Sequence, residues 1–168
     1  HELGLMIICL DTSGSMKGGP DVIAKAVTLY MAARALSQQR NCFLINFSST
    51  KNITSLDLSG QNGISQLLGF LKHSYNGGTD VEPSIELGTQ LMTGTAYGKA
   101  DLLVVSDLIF RKITDDIVAK VDHAKANNNK FYSLCIGRTS KDLHLKSVFD
   151  NEWIFDLSTR TAHSVTNK

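Results

Sequence analysis

The chain has 168 residues, enough for one domain with a sizeable hydrophobic core, and we expect residues 1–168 to form a single domain. Its net charge of +1 and the lack of a basic stripe argue against binding to nucleic acid or to an anionic membrane surface. No apolar run is long enough to span a membrane, and the opening residues lack the basic segment of a signal peptide. Because an apolar run begins almost at the first residue, we expect the chain to be a fragment of a longer protein.

Three cysteines, an odd number, each lie within an apolar run, at Cys9, Cys42 and Cys135. This placement is typical of buried, reduced thiols in strands rather than of disulfides. We therefore expect a reducing compartment and a cytoplasmic location.

The first half of the chain alternates apolar runs with polar turns. Leu5–Leu10 is a short apolar run closed by a glycine-containing turn, which predicts a buried parallel strand. Apolar residues at helical spacing follow to about Gln39, with Asp21 as the predicted helix cap. Cys42–Phe47 is predicted to form a second buried strand. Ile53–Leu58 alternates apolar and polar positions, which predicts a half-buried edge strand.

The second half continues the alternation of strands and helices. Apolar residues at helical spacing predict a short helix through Leu67, Leu68 and Leu71 and two further helices around 85–92 and 113–124. The predicted strands are Leu102–Val105, Phe131–Ile136 and Trp153–Phe155, and residues 158–168 are predicted to form a polar tail. This alternation predicts an α/β fold, a doubly wound, Rossmann-like and mainly parallel sheet with one antiparallel edge strand and helices on both faces.

Polar loops follow two strands that should end at the same edge of this sheet. Asp11, Ser13 and Ser15 alternate after the first strand, and Asp107 follows Leu102–Val105. The two strands are predicted neighbours at the point where helices leave in opposite directions, so Asp11 and Asp107 would face each other across a crevice. Carboxylate and hydroxyl oxygens suit a hard divalent cation such as Mg²⁺ or Mn²⁺, which would relieve the repulsion between the carboxylates.

A third loop offers Thr79, for which the sequence leaves two interpretations open. Thr79-x-x-Glu82 matches a capping box at the start of a helix. Pro83 would then remove the first intrahelical hydrogen bond. A cap at Asp80 instead places Pro83 in the first turn and leaves the Thr79 hydroxyl available as a metal ligand.

The pattern Asp11-x-Ser13-x-Ser15, then Thr79, then Asp107, resembles the metal-ion-dependent adhesion site of von Willebrand factor type A (VWA) domains. All five positions are present in order, and the succession of strands and helices fits that fold. The resemblance implies Mg²⁺ bound by Ser13, Ser15 and Thr79, with Asp11 and Asp107 bound directly or through water. It also implies one open coordination position, which a partner's carboxylate commonly fills in such domains. Mn²⁺ and Ca²⁺ are the alternative ions.

A narrower resemblance is to ViaA-like VWA proteins, which carry this domain at the C-terminus of a longer chain. The segments that carry it are Leu58-Ser59-Gly60-x-x-Gly63-Ile64, Gly77-Gly78-Thr79-Asp80, Val105-Ser106-Asp107-Leu108-Ile109 and Phe149-Asp150-x-x-Trp153-x-Phe155-Asp156. The resemblance implies a non-enzymatic adaptor or regulator of a RavA-like, MoxR-family AAA+ ATPase.

Two other functions stay open on the sequence. A VWA subunit of a metal-chelatase-type AAA+ complex would have the same fold and ion site with a different ATPase. A Mg²⁺-dependent phosphohydrolase could also place Asp11 at a strand end, but Ser13 stands where a haloacid-dehalogenase-type enzyme needs a second aspartate. No Walker glycine loop is present, which argues against nucleotide hydrolysis by this chain.

Overall fold

The computed structural model describes residues 5–59, 62–109, 112–137 and 148–165. Three parts of the sequence-based predictions lie outside these ranges. They are residues 1–4 of the predicted domain, Gly60 of the ViaA-like segment, and the last three residues of the predicted polar tail.

Seven strands form one sheet with the order β3-β2-β1-β4-β5-β6-β7 across the described residues. The strands are β1 (Met6–Asp11), β2 (Cys42–Phe47), β3 (Ile53–Asp57), β4 (Asp101–Ser106), β5 (Phe131–Ile136), β6 (Asn151–Asp156) and β7 (Thr161–Ser164). The helices are α1 (Gly19–Ser37), α2 (Gly63–Leu71), α3 (Glu82–Leu91) and α4 (Asp115–Ala126), and a short 3-10 turn spans Gly14–Met16. The doubly wound, mainly parallel α/β fold predicted from the sequence is confirmed.

The central strands are parallel and the strands at both edges are antiparallel. β1 pairs in parallel with both β2 and β4, and β3 is the antiparallel edge strand that the sequence predicts. β7 forms a second antiparallel edge against β6, so the prediction of a polar tail was wrong for Thr161–Ser164. All four residues of β7 are exposed, so the strand has no buried face and therefore no apolar alternation that the sequence could reveal.

The helices cover the two faces of the sheet in pairs. α1 and α2 pack on one face through a core that includes Ala32, Leu44 and Leu67. α3 and α4 pack on the other through a core that includes Ile85 and Val121. Each central strand sends alternate side chains to the two cores, which explains why these strands read as continuous apolar runs.

The first helix begins earlier than the sequence predicts. α1 starts at Gly19, and its N-cap is Gly18, whose φ of +96° lies in the region that favours glycine. Asp21 therefore lies in the first turn and is not the cap. There its carboxylate is close to the positive end of the helix dipole and forms an ion pair with Lys25 at 3.2 Å.

The three cysteines are buried and free, as predicted, within β1, β2 and β5. No helix in the described part of the chain is long and apolar enough to cross a membrane.

Candidate metal centre

The candidate site lies at the carboxyl ends of β1 and β4, where the order of strands reverses. Leu10 of β1 aligns with Val105 of β4, so Asp11 ends its strand beside Ser106. α1 leaves β1 toward one face of the sheet, and α4 follows β4 on the other. This divergence opens a crevice in which ligands bind in doubly wound folds.

Asp11 is fully buried and both of its carboxylate oxygens accept hydrogen bonds. Oδ1 accepts from the backbone N–H of Ser13 at 2.8 Å, and Oδ2 accepts from the Ser106 hydroxyl at 2.6 Å. Burial raises the pKa of Asp11 above its ordinary value, hydrogen bonds from Ser106 and Ser13 oppose that rise, and the Asp107 carboxylate adds to it. The carboxylate is thus rigidly oriented and costly to keep charged without a cation.

Ser13 and Ser15 bring two hydroxyl groups together directly after Asp11. Their Oγ atoms lie 3.2 Å apart, with Ser13 buried and Ser15 exposed. The 3-10 turn produces this approach, because the N–H of Met16 donates to the Ser13 carbonyl and turns the chain back on itself. The Met16 side chain is buried beneath the turn, and its sulfur accepts the backbone N–H of Asp107.

Asp107 follows β4 and is 8 % exposed. Its Oδ1 accepts the backbone N–H of Ile109 at 3.1 Å, which fixes one side of the carboxylate. The intervening Leu108 has a φ of +58°, an uncommon conformation for a residue that is not glycine. Such local strain is found disproportionately at functional sites.

Thr79 is half-buried in a loop that packs against the Asp11–Ser15 segment. The N–H of Gly14 donates to the Gly77 carbonyl at 2.8 Å, and a Cβ at Gly14 would lie 3.2 Å from the Asn76 carbonyl oxygen. The loop therefore approaches the first segment backbone to backbone. Thr79 lies two residues beyond this contact.

The start of α3 does not contain a capping box. The Asp80 carboxylate accepts the N–H of Glu82 at 3.0 Å, and Pro83 is the second helical residue. Glu82 instead accepts the N–H of Thr114 at 2.7 Å, at the start of α4. α3 begins at Glu82, one position later than a cap at Asp80 predicts. The Thr79 hydroxyl does not cap the helix, as predicted, and it has no hydrogen-bond partner among the described residues.

Among the residues that the structure describes, no cationic side chain pairs with the two buried carboxylates. Neither Asp11 nor Asp107 forms an ion pair within the part of the chain that the structure describes. The same ranges contain no cluster of three or more His, Cys, Asp or Glu side chains that could hold a metal ion. The predicted ligand set is of another kind, since only two of its five residues are carboxylates and the other three supply hydroxyl oxygens.

Comparison with known families identifies the domain. The von Willebrand factor type A domain model matches residues 6–109, which contain β1 to β4 and all five predicted ligand positions. The chain belongs to the von Willebrand factor type A family.

Solved structures share the fold of this VWA domain at low sequence identity. Proximal thread matrix protein 1 from the mussel byssus is 11 % identical, with a TM-score of 0.71 over 92 % of this chain and 44 % of that protein. BatB from Bacteroides thetaiotaomicron is 17 % identical, with a TM-score of 0.62 over 98 % and 80 % of the two chains. An aerotolerance-related membrane protein from Bacteroides fragilis is 16 % identical, with a TM-score of 0.57 over 96 % and 81 %. The chain spans less than half the length of the mussel protein, and these likenesses show the fold alone.

Several polar residues around the crevice of the VWA domain were missed by reasoning from the sequence. Ser106 contacts Asp11 directly, and Asn46 and Ser48 lie fully buried at the end of β2. The sequence did contain a signal for Asn46 and Ser48, because these two polar residues occupy alternate positions at the end of an otherwise apolar strand. Alternate positions face the same side of a sheet, so both side chains could have been assigned to one group.

Proposed function

We propose that this VWA domain is a metal-ion-dependent protein-interaction module that binds a partner carboxylate through Mg²⁺. VWA domains are protein-interaction modules, and the family match supports that general role. The metal-dependent form of this proposal rests on one observation: Asp11 and Asp107 are neighbouring buried carboxylates, and neither has an ion-pair partner among the described residues. A divalent cation would convert their mutual repulsion into attraction.

The chemistry of the oxygens around the crevice fits Mg²⁺. Two ligands at right angles, each about 2.1 Å from Mg²⁺, lie about 3 Å from each other. The Ser13 and Ser15 hydroxyl oxygens are 3.2 Å apart. Asp11 and Asp107 would supply negative charge directly or through water, and Thr79 would supply a third hydroxyl. The ion would provide Lewis acidity to a partner's carboxylate, while the protein orients it.

The metal site is tested by calorimetric titration with Mg²⁺. We expect Asp11→Ala and Asp107→Ala to abolish binding and to leave cooperative unfolding intact. Asp101→Ala is the matched control, because Asp101 is a partly buried carboxylate at the opposite end of β4 from Asp107. Equal Mg²⁺ affinity of Asp11→Ala and the unsubstituted domain would disprove the site.

We further propose that the partner is a MoxR-family AAA+ ATPase and that the domain acts as its adaptor or regulator without being an enzyme. The ViaA-like segments of the sequence support this assignment, and three buried free thiols are compatible with the cytoplasm. Pull-down with a purified MoxR-type ATPase should weaken in EDTA and recover with excess Mg²⁺. If EDTA does not change binding, the ATPase contacts a surface away from the metal. The exposed side chains of Tyr30 and Leu68 would be one such surface.

Two alternatives are separated by direct assays. A chelatase-type subunit would bind a different AAA+ ATPase, so parallel pull-downs with the two ATPases distinguish it from the proposed adaptor. A phosphohydrolase would turn over p-nitrophenyl phosphate in Mg²⁺. We expect no turnover above that of Asp11→Ala.

A further inference from the structure

We infer that Ser48 and Asn46, at the carboxyl end of β2, are positioning residues that hold the Thr79 loop against the metal site and thereby set its affinity for Mg²⁺. This inference rests on the proposed function. The described side-chain hydrogen bonds of Asn46 and Ser48 go to Thr12, His73 and Gly78 and not to the predicted ligands Asp11 or Asp107, so each would act through the loop.

Ser48 binds both residues that flank Thr79. Its hydroxyl donates to the Gly78 carbonyl at 2.6 Å, and its own carbonyl accepts the N–H of Asp80 at 2.6 Å. Ser48 is fully buried, so water does not compete for these contacts. With one neighbour held on each side, the backbone position of Thr79 is fixed by Ser48, the residue that directly follows β2.

Asn46 secures the part of the loop that precedes Thr79. Its Nδ2 donates to the His73 carbonyl at 3.0 Å, and its Oδ1 accepts the Thr12 hydroxyl at 2.6 Å. The Thr12 hydroxyl in turn accepts the N–H of Tyr75 at 3.2 Å, and the Thr12 carbonyl accepts the N–H of Asn76 at 2.8 Å. Asn46 and Thr12 therefore connect the loop to the segment that contains Ser13.

The turn between β2 and β3 supports the same arrangement. The Ser48 N–H donates to the Asn52 carbonyl at 2.9 Å, which closes the turn over the end of β2. The Thr50 hydroxyl donates to the Asp80 carboxylate at 2.6 Å. The Gly77 backbone packs closely against Ser48, since a Cβ at Gly77 would lie 3.1 Å from the Ser48 hydroxyl oxygen.

The chemistry of Mg²⁺ makes this positioning consequential. Mg²⁺ demands nearly ideal octahedral geometry at short distances, so a hydroxyl ligand on a loosened loop binds poorly. Outer-shell partners that orient metal ligands typically change metal affinity by about 10- to 100-fold when removed. A polar side chain buried only for stability would have no such effect.

Two readouts on Ser48→Ala test the inference, with Ser133→Ala as the matched control. Ser133 is an equally buried serine, in β5 and away from the loop. We expect Ser48→Ala to weaken Mg²⁺ binding about tenfold or more in calorimetry. In the metal-free protein it should also speed amide hydrogen exchange in residues 75–80. Ser133→Ala should leave both quantities unchanged.

The outcomes separate this inference from the proposed function. If the unsubstituted domain binds no Mg²⁺, the proposed function fails, and the exchange rates alone decide whether Ser48 orders the loop. If the unsubstituted domain binds Mg²⁺ and Ser48→Ala binds it equally, with unchanged exchange, the inference is overturned while the metal site stands. Should Ser48→Ala fail to fold, Ser48→Cys replaces the hydroxyl by a weaker donor and serves in its place.

Discussion

Ser106 donates a hydrogen bond from its hydroxyl to Oδ2 of Asp11 at 2.6 Å and so joins the ends of the two central strands, β4 and β1. The same hydroxyl oxygen accepts the N–H of Leu108 at 2.9 Å, where the backbone takes its left-handed conformation. Ser106 is fully buried. One hydroxyl therefore stabilises both a buried carboxylate and the turn that leads from β4 past Asp107.

This contact predicts an energetic coupling between Ser106 and Asp11. Ser106→Ala should lower the free energy of unfolding by about 1–3 kcal/mol, because a buried carboxylate and a backbone N–H each lose a partner. In the Asp11→Asn background the loss should be smaller, since a neutral acceptor forms a weaker hydrogen bond. Urea denaturation of the four proteins of this double-mutant cycle gives the coupling. Strictly additive effects would show that the negative charge of Asp11 does not strengthen its hydrogen bond with Ser106.

The raised pKa of Asp11 predicts how the metal-free domain responds to pH. Because burial raises the pKa in the folded state, the folded protein binds more protons than the unfolded chain between the ordinary value of 3.8 and the raised value. Stability should therefore increase as the pH falls through the raised pKa. Asp101 has a pKa raised by burial as well and contributes with the same sign.

The comparison that isolates Asp11 is the difference in unfolding free energy between the unsubstituted domain and Asp11→Asn, measured in EDTA from pH 8 to pH 4. Asp101 is common to both proteins, so its contribution cancels. We expect Asp11→Asn to be the more stable protein at pH 8, with the difference shrinking as the pH falls. A difference that is independent of pH would contradict the assigned cause.

The succession of strands and helices was predictable because most elements carry a strong apolar signal of their own. β1, β2 and β4 are largely apolar runs, and β1 and β4 are neighbouring parallel strands, as predicted. The start of α1 was not predictable from the usual cap residues, because a glycine with positive φ forms the cap. The exposed strand β7 has no buried face to reveal it.

The sequence predicted the five candidate metal ligands of the motif but not the residues that hold the Thr79 loop in place. Asp11, Ser13 and Ser15 are close in sequence, so their alternation is visible directly. The residues that hold the Thr79 loop are far from it in sequence, as in the pairs Asn46–His73 and Thr12–Tyr75, which are 27 and 63 positions apart. Their role depends on which loop reaches the end of β2, and that follows from the tertiary fold.

Two glycines in helices predict opposite responses to the same substitution. A Cβ at Gly88 of α3 would overlap Cδ1 of Leu102, which is fully buried, whereas a Cβ at Gly69 of α2 meets nothing within 4 Å. Gly88→Ala should destabilise the domain by about 1–3 kcal/mol through overpacking. Gly69→Ala should stabilise it by up to about 1 kcal/mol through helix propensity. Thermal unfolding of both variants measures the two shifts, and a stabilising Gly88→Ala would show that α3 does not press on β4 at this point.

The buried thiols predict a slow reaction with thiol reagents in the folded state. Burial raises the pKa of Cys9 and of Cys42 to about 12. The Cys9 thiol is fully buried and donates a hydrogen bond to the Ser84 carbonyl. Thiolate is the reactive form, so at pH 8 both side chains are almost entirely unreactive as well as shielded.

We expect Ellman's reagent at pH 8 to modify neither Cys9 nor Cys42 on a timescale of minutes, and to modify both rapidly in denaturant. Mass spectrometry of digested protein assigns the labelled positions. Cys42→Ser is a useful companion variant, because it should leave the labelling of Cys9 unchanged if the two thiols are shielded independently in β2 and β1. Rapid labelling of Cys9 in the folded domain would mean that β1 opens to solvent, and the rigid placement of Asp11 at the end of that strand would then be untenable.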